Sequence, residues 1–193
     1  GFLNSDQAIS TLDAVGIRLL YGASLSPYDQ HFVVGNVDFN PRLDIVQAIR
    51  GGASLPTCRF TGLGFSCNAP SATSYDWDAR QQVLAGDFNG DGMTDVAQTF
   101  FRWGSIPTCL SGNNGNAWNC NNPVAPIVAH PGDDDETRFL VGKFNGDAKD
   151  DVVEINRKAS TILTCLSTAT STAASWNCTN AGSYLPWTGT SEQ

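Results

Sequence analysis

A nine-residue segment with the composition of a metal-binding loop is the strongest chemical signal in the sequence. Residues 87–95 read DFNGDGMTD, with oxygen-bearing side chains at the first, third, fifth and ninth positions. This alternation lets a tight loop turn its oxygens inward, while Gly90 and Gly92 permit the positive φ that wrapping around an ion requires. Carboxylate and amide oxygens at this density suit Ca²⁺. An EF-hand is excluded because the twelfth residue is Gln98 instead of glutamate and the flanking residues are typical of strands.

Two further segments align with this loop without gaps. Residues 36–44 read NVDFNPRLD and residues 143–151 read KFNGDAKDD. In the first, amides replace two of the acids and Pro41 replaces a glycine. In the second, Lys143 occupies the first oxygen position, where an ammonium would repel a cation, so we expect weak binding there. Asp, Asn and Gly are also the usual turn formers, which leaves a run of simple turns as the alternative. Three copies in register favour Ca²⁺.

The spacing of these loops predicts a repeated β-structure. The ninth-position residues Asp44, Asp95 and Asp151 are 51 and 56 residues apart. An apolar segment precedes each loop and another follows it, and a hairpin comes next, so each unit predicts four short strands. Four-stranded units of this length are typical of propeller blades. We therefore expect an all-β, β-propeller-like fold in a single domain over residues 1–193, with a partial unit at 1–30, which lacks the hairpin, and full units at about 31–75, 76–130 and 131–193.

Six cysteines fall at the same two places in each full unit. The repeat selects one pairing out of fifteen, with each bridge stapling the outer hairpin of its own unit. Zinc is the rival interpretation, but the close cysteine spacing of zinc sites is missing and the chain has only two histidines. Disulfides in turn indicate an oxidising compartment. The predicted pairs are Cys58 with Cys67, Cys109 with Cys120, and Cys165 with Cys178.

The three loops and their flanking strands resemble the FG-GAP or VCBS repeats of integrin α-chain propellers and secreted microbial proteins. The resemblance covers about half of the chain and does not include the cysteine hairpins. It implies a calcium-binding β-propeller in which each loop joins the two inner strands of a blade and the seventh loop residue binds through its carbonyl. The ligands it implies are Asp87, Asn89, Asp91, Met93 and Asp95; Asn36, Asp38, Asn40, Arg42 and Asp44; and Asn145, Asp147, Lys149 and Asp151.

Composition narrows the function classes. The chain carries 11 basic and 19 acidic residues, a net charge of -8, so it repels phosphate backbones and nucleic acid is a poor partner. No apolar run is long enough to cross a bilayer, which argues against membrane insertion. The sequence contains no nucleophile elbow and no phosphate loop. Paired carboxylates for glycoside hydrolysis stay open in principle, but the loops account for the acids, and we expect no enzymatic activity.

The expected function is therefore that of a secreted module that recognises an extracellular glycan or protein, with Ca²⁺ in a structural role. No leader is visible, so secretion would mean that it has been removed. Self-assembly into an extracellular structural protein, or service as an accessory domain of a secreted enzyme or toxin, are the alternatives. The short first unit predicts completion by association, either with the chain's own termini or between copies. Sugar-platform candidates are Trp103, Trp118 and Trp176, although blade packing is the commoner role for such residues, and Asn177 lies in a glycosylation sequon.

Overall fold

The computed structural model describes residues 30–49, 52–72, 82–99, 104–125, 137–157 and 159–183. These residues form twelve strands and no helix, which confirms the all-β expectation. Residues 1–29, which make up nearly all of the predicted partial unit, lie outside the described part of the chain.

The twelve strands form three antiparallel four-stranded sheets, each in simple chain order. Sheet I comprises β1 (Gln30–Gly35), β2 (Asp44–Ile49), β3 (Thr57–Phe60) and β4 (Phe65–Asn68). Sheet II comprises β5 (Gln82–Gly86), β6 (Asp95–Thr99), β7 (Thr108–Gly112) and β8 (Ala117–Asn121). Sheet III comprises β9 (Thr137–Gly142), β10 (Asp151–Asn156), β11 (Thr161–Ser167) and β12 (Trp176–Ser183).

The predicted cysteine pairing is confirmed, and local geometry explains it. In each outer hairpin the two cysteines face each other across the strand pair, as Cys109 and Cys120 do in β7 and β8. Three disulfides result, and no described cysteine is free. The β7–β8 hairpin turns through Asn113, Asn114 and Gly115, all with positive φ. The Asn-Gly pair in the sequence is therefore a true turn signal.

The hydrophobic core lies between successive sheets, because alternate side chains of the inner strands point to opposite faces. In β6, Val96 packs toward sheet I and Ala97 packs toward sheet III. One buried cluster joins sheets I and II through residues such as Val37 and Trp118. A larger one joins sheets II and III, where Phe88 and Trp176 meet edge to face at 5.3 Å.

The sheets follow one another in a regular arrangement. The first strands of successive sheets are in contact, β1 with β5 and β5 with β9. The same hydrogen bond recurs at both junctions: Trp118 of sheet II donates its indole N–H to Thr57 of sheet I, and Trp176 of sheet III donates to Thr108 of sheet II. No closed ring of sheets is present among the described residues.

Candidate functional site

The three candidate loops each join the first and second strands of a sheet, and hydrogen bonds link them into a row. Loop I is residues 36–44, loop II is residues 87–95 and loop III is residues 143–151. The amide of Thr94 in loop II donates to the carbonyl of Asn36 in loop I at 2.5 Å. The equivalent amide of Asp150 in loop III donates to the carbonyl of Asp87 at 2.7 Å. The loops thus lie side by side at one end of the three sheets.

Side-chain oxygens in loop II are held in place by the loop's own backbone. Asp87 accepts hydrogen bonds from the amides of Gly90 and Gly92, and both of its carboxylate oxygens are used. Asn89 accepts from the amide of Asp91 at 2.9 Å, and Asp91 accepts from the amide of Met93 at 2.8 Å. Each oxygen is bonded two or more residues ahead, which is the geometry of Asx turns. Asp87, Asn89 and Asp91 are gathered within one tight loop in this way.

The same ladder of bonds runs through the other two loops. In loop I, the side chains at the first, third and fifth positions accept from the amides at the third, fifth and seventh positions. Loop III repeats the pattern from its third position, where Asn145 accepts from Asp147 and Asp147 accepts from Lys149. The Lys149 amide lowers the pKa of Asp147 most, and the Asn145 side-chain amide, which also donates to this carboxylate, lowers it further.

The aspartate at the ninth position of each loop has a structural role that was not predicted from the sequence. Asp95 is fully buried, and it accepts hydrogen bonds from the amide of Phe88 in the loop and from the amide of Ser111 in β7. Asp44 and Asp151 make the same two bonds in their own sheets. Each carboxylate therefore clamps its loop to the third strand of the sheet. The aspartate and the third-strand amide are 16 residues apart in all three sheets.

The pKa of the buried Asp95 carboxyl depends on its surroundings in loop II. Burial raises the pKa of Asp95 to about 8, and the charges of Asp91 and Asp87 add to that effect, while the hydrogen bonds from Ser111 and Phe88 oppose it. Asp95 therefore carries a cost of desolvation and of like-charge repulsion that a bound cation would reduce.

The oxygen donors of loop II are of the types that Ca²⁺ prefers. The acidic side chains alone, however, would not complete the coordination of the ion. Within the described ranges, no three His, Cys, Asp or Glu side chains are grouped closely enough to hold a metal ion. A calcium site here would depend on Asp87 and Asp91 together with the Asn89 amide oxygen and the Met93 carbonyl. In loop III, the Lys143 ammonium donates to the carbonyl of Ala148 and lies 3.7 Å from Asp150. A side-chain cation thus already sits in that loop.

Two of the three tryptophans predicted as sugar platforms are buried between sheets. Trp118 and Trp176 are only 8% and 7% exposed, and their indole groups are engaged between sheets. The structure thus favours the packing role for these two residues, and Trp103 lies outside the described residues. Asn177, the predicted glycosylation site, is exposed on β12 opposite Leu166.

An exposed aromatic residue in loop I was missed by the sequence analysis. Phe39 is 57% exposed and has a φ of 64°, a conformation that is unfavourable for a bulky side chain. Loops II and III have Gly90 and Gly146 at this position, with φ of 78° and 79°. The Phe39 ring lies against Gly92 of loop II, where an added Cβ would be 3.5 Å from it. The available signal was a phenylalanine where the two aligned loops carry glycine.

Comparison with known proteins shows a likeness of fold. Neither a family model nor a curated protein matches the sequence. The fold is similar to that of a lectin from Agrocybe aegerita, described as specifically recognising non-reducing terminal N-acetylglucosamine, with a TM-score of 0.55 and 18% identity. The match covers 77% of this chain and 37% of the lectin chain, so the matched part of this chain spans just over a third of the lectin's length. None of the described residues belongs to a helix suited to cross a membrane.

Proposed function

We propose that the protein is a secreted glycan-binding module that uses the row of loops as its recognition surface, with Phe39 as the platform for a sugar ring. The observation that carries the proposal is the position of Phe39, an exposed ring held on a strained backbone. Such a conformation costs about 1–3 kcal/mol and is typically kept where it serves function. An aromatic ring offers a flat apolar surface to one face of a sugar.

The surroundings of Phe39 are suited to sugar hydroxyls. Asp38 and Asn40 flank it in loop I, and a hydrogen bond of 2.7 Å joins their side chains. Asn and Asp provide both donors and acceptors, which is what a polyhydroxylated ligand requires. The likeness in fold to a glycan-recognising lectin supports this class of ligand, and three disulfides support an extracellular location.

A calcium-stabilised, propeller-type architecture completes the proposal. Loop II would bind Ca²⁺ through the oxygens of Asp87, Asn89 and Asp91 with the Met93 carbonyl, and this ion would hold the loop rigid beneath Phe39. Loop I offers amides in place of two acids and would bind more weakly. In loop III, the Lys143 ammonium would take the place of the ion. The repeated sheets and the oxygen-rich loops support the proposal that these units are repeats of the FG-GAP type.

Replacing Phe39 tests the proposed function. On a glycan array that includes terminal N-acetylglucosamine, Phe39→Ala should lose at least about tenfold in affinity, because stacking of an aromatic ring is removed. Val124→Ala is the matched control, since Val124 is 79% exposed and lies beyond β8, at the end of sheet II opposite the loops. It should bind like the wild type.

Phe39→Gly separates function from folding. Glycine tolerates the positive φ of this position, so the variant should be as stable as the wild type or more so while still failing to bind. Glycan binding that survives in both Phe39 variants would reject Phe39 as the platform. If the wild type bound no glycan on the array, the proposed function would be rejected.

A further inference from the structure

The contact between successive sheets is directional, and it occurs twice among the described residues. At each junction between two sheets, the sheet that comes earlier in the chain contributes two apolar residues. The first lies two positions before the glycine that ends its first strand. The second is the second residue of its loop. For sheet II these residues are Leu84 and Phe88, at 9% and 0% exposure. The later sheet contributes the tryptophan of its outer hairpin. We call the first surface the forward face of a sheet and the second surface its rear face.

The forward face of sheet III has the same residues, but none of the described residues covers them. Leu140 and Phe144 occupy the positions of Leu84 and Phe88, yet they are 50% and 51% exposed. Thr164 occupies the position of Thr57 and Thr108, which accept the indole hydrogen bonds at the two internal junctions. The described part of the chain contains no tryptophan that donates to Thr164.

The rear face of sheet I is exposed in the same way. Phe65 lies two residues before the second cysteine of its hairpin, as Trp118 and Trp176 do, but it is 52% exposed. Val34 is 51% exposed, whereas its equivalents Ala85 and Val141 are partly buried against the preceding sheet.

The glycine that ends the first strand of each sheet provides a further comparison between the internal junctions and the two exposed faces. A Cβ added at Gly35 would collide with Thr94, and one added at Gly86 would lie 3.1 Å from Asp150; each of these is the eighth residue of the following loop. At Gly142, the third such glycine, an added Cβ would meet only the Phe144 ring of its own loop. Leu43, the eighth residue of loop I, is 64% exposed and is the residue that would fill this slot.

We propose that the chain associates head to tail with a second copy of itself, the forward face of sheet III docking on the rear face of sheet I. The occupant is a second copy because the missing surface at each end is present at the other end. The matched 77% of this 193-residue chain makes up 37% of the lectin chain, so that chain is about twice as long as this one. Two copies would therefore provide a similar length of chain.

The junction between copies differs from the internal junctions in one respect. The side chain of Phe65 has no N–H, so it cannot donate the hydrogen bond that the indoles of Trp118 and Trp176 give to threonine. The intermolecular contact is thus a weaker version of the internal one, as suits a reversible association.

Sedimentation equilibrium of the purified chain, with and without charge substitutions, tests the proposal. The wild type should self-associate, and Phe65→Asp and Phe144→Asp should each weaken association at least about tenfold by burying an unpaired charge. Val124→Asp, on an exposed residue of sheet II, which contributes to neither end face, should leave it unchanged. Mixing Phe65→Asp with Phe144→Asp should restore dimers, because one wild-type junction can then form. Failure of the mixture to associate would indicate a symmetric contact and overturn the proposal, as would a wild type that is monomeric at all concentrations.

A gain of affinity provides an independent test that does not depend on disrupting the surface. Phe65→Trp should tighten association about three- to tenfold, because it adds the indole donor for Thr164. Thr164→Val should leave the wild type little changed but abolish the gain in the double variant. An equal gain with and without the Thr164 hydroxyl would contradict the proposed register of the two faces.

Discussion

At the scale of single residues, a polar position recurs in the interior of all three sheets. Gln47, Gln98 and Glu154 each lie three residues after the ninth aspartate of their loop and are 4%, 1% and 3% exposed. Gln47 donates to Gln30 in the first strand. The side-chain polar atoms of Gln98 and Glu154 have no hydrogen-bond partner among the described residues. Burial alone raises the pKa of Glu154 to about 7, from an ordinary value of 4.5.

The raised pKa of Glu154 predicts a pH-dependent stability. Between pH 4.5 and about 7 the folded protein holds a proton on Glu154 that the unfolded chain has lost, so the free energy of unfolding should fall as pH rises through this window. Glu154→Gln should reduce the fall without abolishing it, because Asp95 also has a raised pKa. Urea unfolding at pH 5, 6, 7 and 8 measures the slope.

Gln98 provides the matched control for this prediction. It occupies the equivalent position in sheet II and is equally buried, so Gln98→Glu should add a second fall of stability over the same pH range. An identical pH profile for the wild type and Glu154→Gln would contradict the prediction.

At the scale of strands and loops, the sequence was informative wherever the signal is local. The loop pattern predicted the first two strands of each sheet, and the cysteine positions predicted the outer hairpins and their bridges. The role of Asp95 as a clamp could not be predicted, because Ser111 lies in a different strand and the pairing register brings them together. The strained Phe39 was missed because its alignment with Gly90 and Gly146 indicates strain only if that loop position has a positive φ, which the structure shows.

The calcium proposal predicts a specific response of loop II to charge removal. Ca²⁺ at a hundredfold excess over its Kd should raise the free energy of unfolding by about 2.7 kcal/mol relative to EDTA. Asp91→Asn keeps an acceptor for the Met93 amide but removes a carboxylate, so it should lose most of that difference. Thermal unfolding with Ca²⁺ and with EDTA measures the difference for each variant.

Asp147→Asn is the control at the equivalent position of loop III. Because the Lys143 ammonium already lies in that loop, this variant should respond to Ca²⁺ as the wild type does. A wild type whose unfolding is the same in Ca²⁺ and EDTA would reject a stabilising calcium ion and leave the loops as Asx turns.

At the scale of the whole molecule, stability depends on stacking between sheets more than on any single sheet. Each sheet has four short strands and two apolar faces, and the buried clusters contain residues from two sheets at a time. The sequence predicted the number of full units but not how their faces meet, because that depends on contacts between residues more than 50 positions apart, such as Trp118 and Thr57.

The stacking of sheets predicts unequal effects for chemically identical substitutions. Phe88 and Phe144 both occupy the second loop position, but sheet III covers Phe88 completely while Phe144 is 51% exposed. Phe88→Ala should cost about 3–5 kcal/mol, because it removes a buried ring and leaves a cavity beside Trp176. Phe144→Ala should change stability by no more than about 0.5 kcal/mol when the protein is dilute enough to be monomeric. Urea unfolding of both variants provides the comparison, and equal losses would show that sheets II and III do not pack against each other as described.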